Sequence, residues 1–346
     1  MTNLAYRNSR SVMWVMGFII PLSPSLETPV AKDRSAVHAE LRPMAQFLPR
    51  LPFRRWNIPL LQRLMRLQPG VKPPAGVLVE DVWASRAEGG APPLRLRIYQ
   101  PAARSAPTPA LVWMHGGGYF IGRPEQNDPH LFYLVQQLGI VILSVDYRLA
   151  PAHPFPAPLE DGYTALTWAH SRAGLLKIDP QRLAVGGESA GGGLAAALAQ
   201  LAHDRGEVQP VFQLLIYPML DDRTVLRPKE GSAEHLLWSP ENNRLGWELY
   251  LNQPVSSAPL PPYAAAARRA DLSGLPPAWI GVGTLDLFYA EDLAYAQRLK
   301  DCGVDCETTL VPGAFHGFDQ FGPRFQVVRD FREAQVSALR KALLGG

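Results

Sequence analysis

Cysteine is nearly absent from this chain of 346 residues, which holds two, Cys302 and Cys306. A disulfide framework and a cysteine-built zinc site are thereby excluded. A bilayer-crossing run is missing as well. The N-terminal apolar stretch Val12–Ile20 has nine residues, far short of the ~20 a spanning helix needs. An excess of one charge is also lacking, since the net charge is +3 and charged residues make up 19%. No stretch interleaves basic with aromatic residues as a nucleic-acid surface does, so no nucleic-acid partner is expected.

Apolar and loop-forming residues are plentiful. Hydrophobic residues reach 47%, with 29 Gly and 34 Pro, enough to bury a sizeable core and to exclude a disordered chain. The charge is unevenly spread. Residues 1–75 carry 11 Lys/Arg against 3 Asp/Glu, and the rest carries a net −5. Arg7 and Arg10 before Val12–Ile20 resemble the start of a signal peptide, but Ser23-Pro24-Ser25 is a poor cleavage site. Residues 1–75 therefore read as an arm and cap segment, residues 1–25 as a weak signal-peptide candidate, and the location as cytoplasmic. Within the segment Leu60, Leu61, Leu64 and Met65 recur at helical spacing with Arg63 and Arg66 opposite. That amphipathic helix is expected to pack on its own domain, without stable membrane insertion.

From residue 76 the pattern changes. Val77–Trp83 and Leu94–Tyr99 read as half-exposed strands. Ala110–Met114, Ile140–Val145, Leu183–Val185, Phe212–Tyr217 and Trp279–Val282 are short unalternating runs suited to parallel strands buried on both faces. Helical patterns lie between them at Leu159–Ser171, Ala190–His203 and Ala290–Lys300. The succession predicts an α/β fold with a mostly parallel central sheet flanked by helices over residues 76–346. Residues 219–262, polar and Pro-rich around a short helix at Asn242–Leu251, read as a cap insertion over one edge of the sheet.

Gly187-Glu188-Ser189-Ala190-Gly191 sits between a strand and an Ala-rich helix. Such a G-x-S-x-G turn holds a serine hydroxyl above a sheet, and its glycines leave room for the sharp reversal. His115-Gly116-Gly117-Gly118 follows the strand Ala110–Met114. Unhindered backbone N–H groups there can stabilise the oxyanion of acyl transfer, which assigns Gly116 and Gly117 to an oxyanion hole with Ala190 as third donor. His316, in Gly313-Ala-Phe-His-Gly-Phe318 just after the apparent strand Thr308–Val311, is the expected base. Asp286, at the carboxyl end of Trp279–Val282, is its expected orienting carboxylate. Glu291 and Asp292 on the next helix are expected to face solvent, and Asp319 lies too near His316 in a tight loop. The order Ser189, Asp286, His316 is that of α/β-hydrolases rather than of the chymotrypsin or subtilisin types.

With Asp146-Tyr-Arg-Leu-Ala-Pro151 and His153-Pro-Phe-Pro156, these blocks resemble the bacterial-type hormone-sensitive lipase family of α/β-hydrolases over about residues 76–346. The resemblance implies a helical cap made of the N-terminal region plus an insertion. It also implies carboxylesterase activity on short- to medium-chain acyl esters through an acyl-enzyme. The partner would be a small-molecule ester, no metal or organic cofactor would be needed, and a homodimer stays open. Two residues depart from the family pattern: Ala152 stands where Glu is usual, and Glu188 where Asp or Thr is usual. An amidase or deacetylase, a lipase and a non-catalytic small-molecule receptor are the alternative readings.

Overall fold

A computed structural model describes residues 12–15, 18–21, 34–46, 48, 53–86, 92–104, 106–227, 235–256 and 258–345. The N-terminal apolar run forms an antiparallel pair, β1 (Val12–Val15) with β2 (Phe18–Pro21). Arg7, Arg10 and Ser23–Ser25, on which the signal-peptide reading rests, lie outside the described residues. A one-turn helix α1 (Arg42–Ala45) and the amphipathic α2 (Ile58–Arg66) follow.

The main sheet region begins with β3 (Val77–Ala84), β4 (Leu94–Pro101) and β5 (Thr108–Met114). It continues with α3 (Asp128–Leu138), β6 (Val141–Val145), α4 (Ala157–Ser171) and α5 (Ala173–Leu176). Next come β7 (Ile178–Glu188), α6 (Ala190–Arg205), β8 (Phe212–Ile216) and α7 (Pro240–Leu251). The chain closes with β9 (Ala278–Gly283), α8 (Tyr289–Asp301), β10 (Cys306–Val311) and α9 (Gln326–Leu344).

The eight strands β3–β10 form one sheet in the order β10-β9-β8-β7-β5-β6-β4-β3. β3 and β4 pair antiparallel, as do β4 and β6, and every other pair is parallel. A core lies on each face. Val112, Leu143, Val185 and Leu215 pack with Leu166 of α4 and Leu198 of α6. Leu111, Ile142, Ala184 and Leu214 pack on the opposite face with Leu134 of α3 and Phe331 of α9. Two-sided burial is why the central strands show no alternation. Helices α3 and α9 are not among the patterns picked out above, although Val328, Phe331, Gln335 and Leu339, all buried, recur at helical spacing.

Strand β4 departs from simple half-exposure. Arg95 and Arg97 are partly covered by acids from three other segments. Arg95 bonds Asp81, Glu125 and Asp146, and Arg97 bonds Asp128. Burial works against ionising Glu125, but hydrogen bonds from Arg95 and Arg123 win and hold its carboxyl at about 2.

Candidate active site

β7 ends at Glu188 and α6 begins at Ala190, so a single residue turns the chain. That residue, Ser189, has φ 54° and ψ −121°, a region non-glycine residues enter at a cost of roughly 1–3 kcal/mol. The surroundings enforce it. Ser189 N–H donates to the Ile216 carbonyl at 2.9 Å, and the Met219 N–H donates to the Ser189 carbonyl at 2.9 Å. A Cβ on Gly187 would stand 2.4 Å from the Gly191 carbonyl oxygen, and one on Gly191 would stand 2.1 Å from that of Met114. Both flanking glycines are therefore sterically required.

The loops after β9 and β10 bring in the other two residues. His316 Nε2 lies 2.9 Å from Ser189 Oγ, and His316 Nδ1 lies 2.8 Å from Asp286 Oδ2. The second carboxylate oxygen of Asp286 accepts the Phe288 N–H at 2.9 Å, which fixes its rotation. Aromatic edges wall the imidazole, with Tyr217 at 4.8 Å and Phe288 at 5.1 Å between centroids. All three residues are 5% exposed or less. Asp319 does not reach the imidazole in a hydrogen bond; its carboxylate accepts Tyr217 Oη–H at 2.7 Å, and burial raises its pKa.

The glycine run after β5 forms the facing wall. Gly117 has φ 122°, and a Cβ there would meet the Ile121 carbonyl oxygen at 2.0 Å. Gly118 is pressed against Trp238, whose ring would lie 2.2 Å from a Cβ. His115 is stacked on Tyr147 at 4.2 Å, and Tyr147 Oη–H donates to the His115 carbonyl at 2.7 Å. Burial pushes the His115 imidazole down to about 4, so it is neutral near pH 7. The Ala150 N–H donates to the Tyr119 carbonyl at 3.0 Å. The block at 146–151 thus props the glycine run from behind. Ala152 is exposed on the turn that follows.

Gly116, Gly117, Ser189 and His316 open on one cleft of about 330 Å³, part of it continuous with solvent. Ala190 begins α6 immediately beyond the serine. The cleft is also lined by Met65, Ile121, Trp238, Gln126, Glu188 and Gln320. Gln126, Trp238 and Gln320 carry no motif, and Met65 had a signal as part of the helical pattern at Leu60–Met65. Glu188 is buried, and desolvation, with Asp319 adding to it, raises its carboxyl above the ordinary range. Gln126 Nε2 donates to Glu188 Oε1 and to the Gly116 carbonyl, each at 3.3 Å. It thereby ties the serine turn to the glycine run.

Three expectations require correction. The insertion does not lie over a sheet edge. Its Trp247 and Tyr250 pack on Tyr119 at 5.3 and 4.0 Å, and its Trp238 packs on Phe120 at 6.1 Å. It therefore sits over the carboxyl end of the central strand β5, where large apolar rings find partners. Glu291 and Asp292 do not face solvent; they are 1% and 0% exposed. Glu291 Oε1 accepts the Leu220 and Asp221 N–H groups at 2.7 and 3.1 Å, and Thr224 Oγ1 bonds Oε2. Burial, the largest influence, pushes Glu291 up to about 8. The apolar stripe of α2 is divided: Ile58 and Met65 are buried, but Leu60 and Leu64 are 56% and 47% exposed.

Among the described residues no helix is long and apolar enough to cross a membrane.

Comparison with known proteins identifies the fold and the family. A family model described as the alpha/beta hydrolase fold matches residues 111–320. Carboxylesterase NlhH of Mycobacterium tuberculosis is 35% identical over 79% of this chain and 86% of its own length. The ethyl acetate hydrolase of Pseudomonas putida is 33% identical over 72% of this chain and 79% of its own. Among solved structures, a bacterial heroin esterase superposes with a TM-score of 0.79 at 34% identity, covering 90% of this chain and 99% of that one.

Proposed function

The chain belongs to the α/β-hydrolase superfamily as a carboxylic ester hydrolase of the hormone-sensitive lipase type, and on that premise we propose that Ser189, His316 and Asp286 are its catalytic triad. Short- to medium-chain acyl esters are the proposed substrates. The observation that carries the assignment is the unbroken chain of contacts from Asp286 through His316 to Ser189, at 2.8 and 2.9 Å.

With the imidazole proton on Nδ1, held by Asp286, Nε2 is free to take the Ser189 hydroxyl proton as Oγ attacks the ester carbonyl. The tetrahedral oxyanion that forms is received by the N–H groups of Gly116, Gly117 and Ala190. His316 then returns the proton to the leaving alcohol, and an acyl-enzyme remains on Ser189. Water enters, gives a proton to Nε2 and attacks the acyl carbon. Collapse of the second tetrahedral species frees the acid and restores the serine hydroxyl. Asp286 keeps the tautomer and stabilises the transient imidazolium throughout.

The described parts of residues 1–75 and 219–262 form the cap in this reading. Met65 from the first and Trp238 from the second line the cleft, and their bulk is what would limit acyl length. The relative named for ethyl acetate hydrolysis supports a short acyl group. Hydrolysis of p-nitrophenyl esters across acyl lengths, beside Ser189→Ala, tests the proposal. A maximum at short or medium chains that disappears in the variant is expected. Full activity in the variant, or a long-chain maximum, contradicts it.

A further inference from the structure

Helix α2 and its flanks carry apolar side chains that the described residues leave largely uncovered. Trp56, Leu60, Leu64, Leu67 and Val71 are 79%, 56%, 47%, 74% and 47% exposed. At 3.6 residues per turn, Leu60, Leu64 and Leu67 fall within an arc of about 60°. The helix cannot roll to bury them, because its other face is bolted down. Ile58 and Met65 are buried. Gln62 Nε2 donates to the Phe120 and Ala150 carbonyls at 2.8 and 3.0 Å. Arg123 Nη1 donates to the carbonyls of Met65, Arg66 and Gln68 at 2.9, 2.8 and 2.9 Å.

The charge around the stripe is of one sign. Residues 41–79 contain seven Lys/Arg and no Asp or Glu. Arg54, Arg55, Arg63, Arg66 and Lys72 are exposed; of these Arg55 reaches an acid, Glu248, at 3.3 Å. An apolar ridge bearing Trp and Leu, bordered by arginines, matches the requirements of a helix that lies in the headgroup layer of an anionic membrane. Basic residues near such a surface add to the attraction.

We propose that α2 and its flanks dock the protein peripherally on an anionic lipid surface, with Leu60, Leu64 and Leu67 entering the acyl boundary and the arginines contacting headgroups. Met65, on the inner face of the same helix, lines the cleft, so the docked helix sets the substrate entrance beside the lipid. The proposal does not depend on the triad, and Ser189→Ala docks as the native chain does.

The test is sedimentation of the full chain with phosphatidylglycerol-containing vesicles and with pure phosphatidylcholine vesicles. It is run for the native protein, Ser189→Ala and the triple variant Leu60→Ser/Leu64→Ser/Leu67→Ser. Unchanged hydrolysis of soluble p-nitrophenyl acetate certifies that the triple variant is folded. The native protein and Ser189→Ala are expected to bind the anionic vesicles only. The triple variant should bind roughly tenfold or more weakly, from the apolar area it no longer buries, and added salt should weaken the native protein's binding. Three results overturn the proposal. One is no binding by the native chain, and another is equal binding by the triple variant. The third is a native dimer that the triple variant converts to a monomer without lipid, which would make the stripe a contact between copies.

Discussion

The turn around Ser189 and the helix α2 meet at the same cleft but are held there by different means. The turn is fixed by contacts so close that Cβ atoms on Gly187 or Gly191 would lie within 2.4 Å of backbone oxygens. The helix is fixed by a few side-chain bonds to carbonyls, from Gln62 and Arg123, and leaves Leu60 and Leu64 exposed. The proposed nucleophile thus sits on a scaffold with no slack, and the α2 wall of the cleft is attached to it by replaceable polar bonds. Such a division lets specificity vary without disturbing the chemistry.

Substitutions can break this contrast, and the largest effects belong to the turn. Ser189→Ala should lower kcat by about 10⁵ or more, as loss of a triad nucleophile does, with the melting temperature unchanged or raised by relief of an unfavourable conformation. Asp286→Asn should lower kcat by about 10⁴ by favouring the wrong tautomer of His316. Near-normal turnover in that variant would move the orienting role elsewhere. Gly117→Ala, which forces a Cβ against the Ile121 carbonyl, should lower kcat by about 10²–10³, the scale of a lost oxyanion donor, with little change in KM.

Where α2 is anchored, Arg123→Ala should mainly raise KM, by roughly 3–10-fold, because uniform binding rather than transition-state contact is lost. A kcat defect as deep as that of Gly117→Ala would erase the distinction between scaffold and wall. The smallest effect concerns the joint between them, where Glu291 holds the start of the insertion through Leu220 and Asp221. Its pKa is raised to about 8 in the fold, so between about pH 4.3, the unfolded value, and pH 8 the folded state binds more protons than the unfolded. Its contribution is therefore present at low pH and is lost as pH rises through that window. Glu291→Gln should flatten this part of the stability curve in urea titrations at several pH values. An unaltered slope would show that Glu291 is ionised in the fold.

The parts legible in sequence were those whose geometry is local. A strand, a glycine-flanked serine and a helix specify the turn within a few residues, and two-sided burial writes itself as unalternating runs such as Ala110–Met114. What escaped depends on partners far along the chain. Glu291 is buried because backbone N–H groups about 70 positions earlier receive it, and no periodicity encodes that. The orientation of α2 escaped because both its faces are apolar: Ile58 and Met65 compete with Leu60 and Leu64, and Gln62 and Arg123 decide between them. Met65, Gln126 and Gln320 reach the cleft only through tertiary packing.

The central claim, that Ser189 is acylated during turnover, is tested most directly by rapid acid quench of the enzyme with excess p-nitrophenyl butyrate, followed by peptide mass spectrometry. The account predicts a butyryl adduct confined to the peptide containing Ser189, and it predicts that the adduct accumulates in His316→Ala far more slowly than in the native enzyme. A butyryl group on another residue, or steady turnover by an enzyme that never carries one, would contradict it.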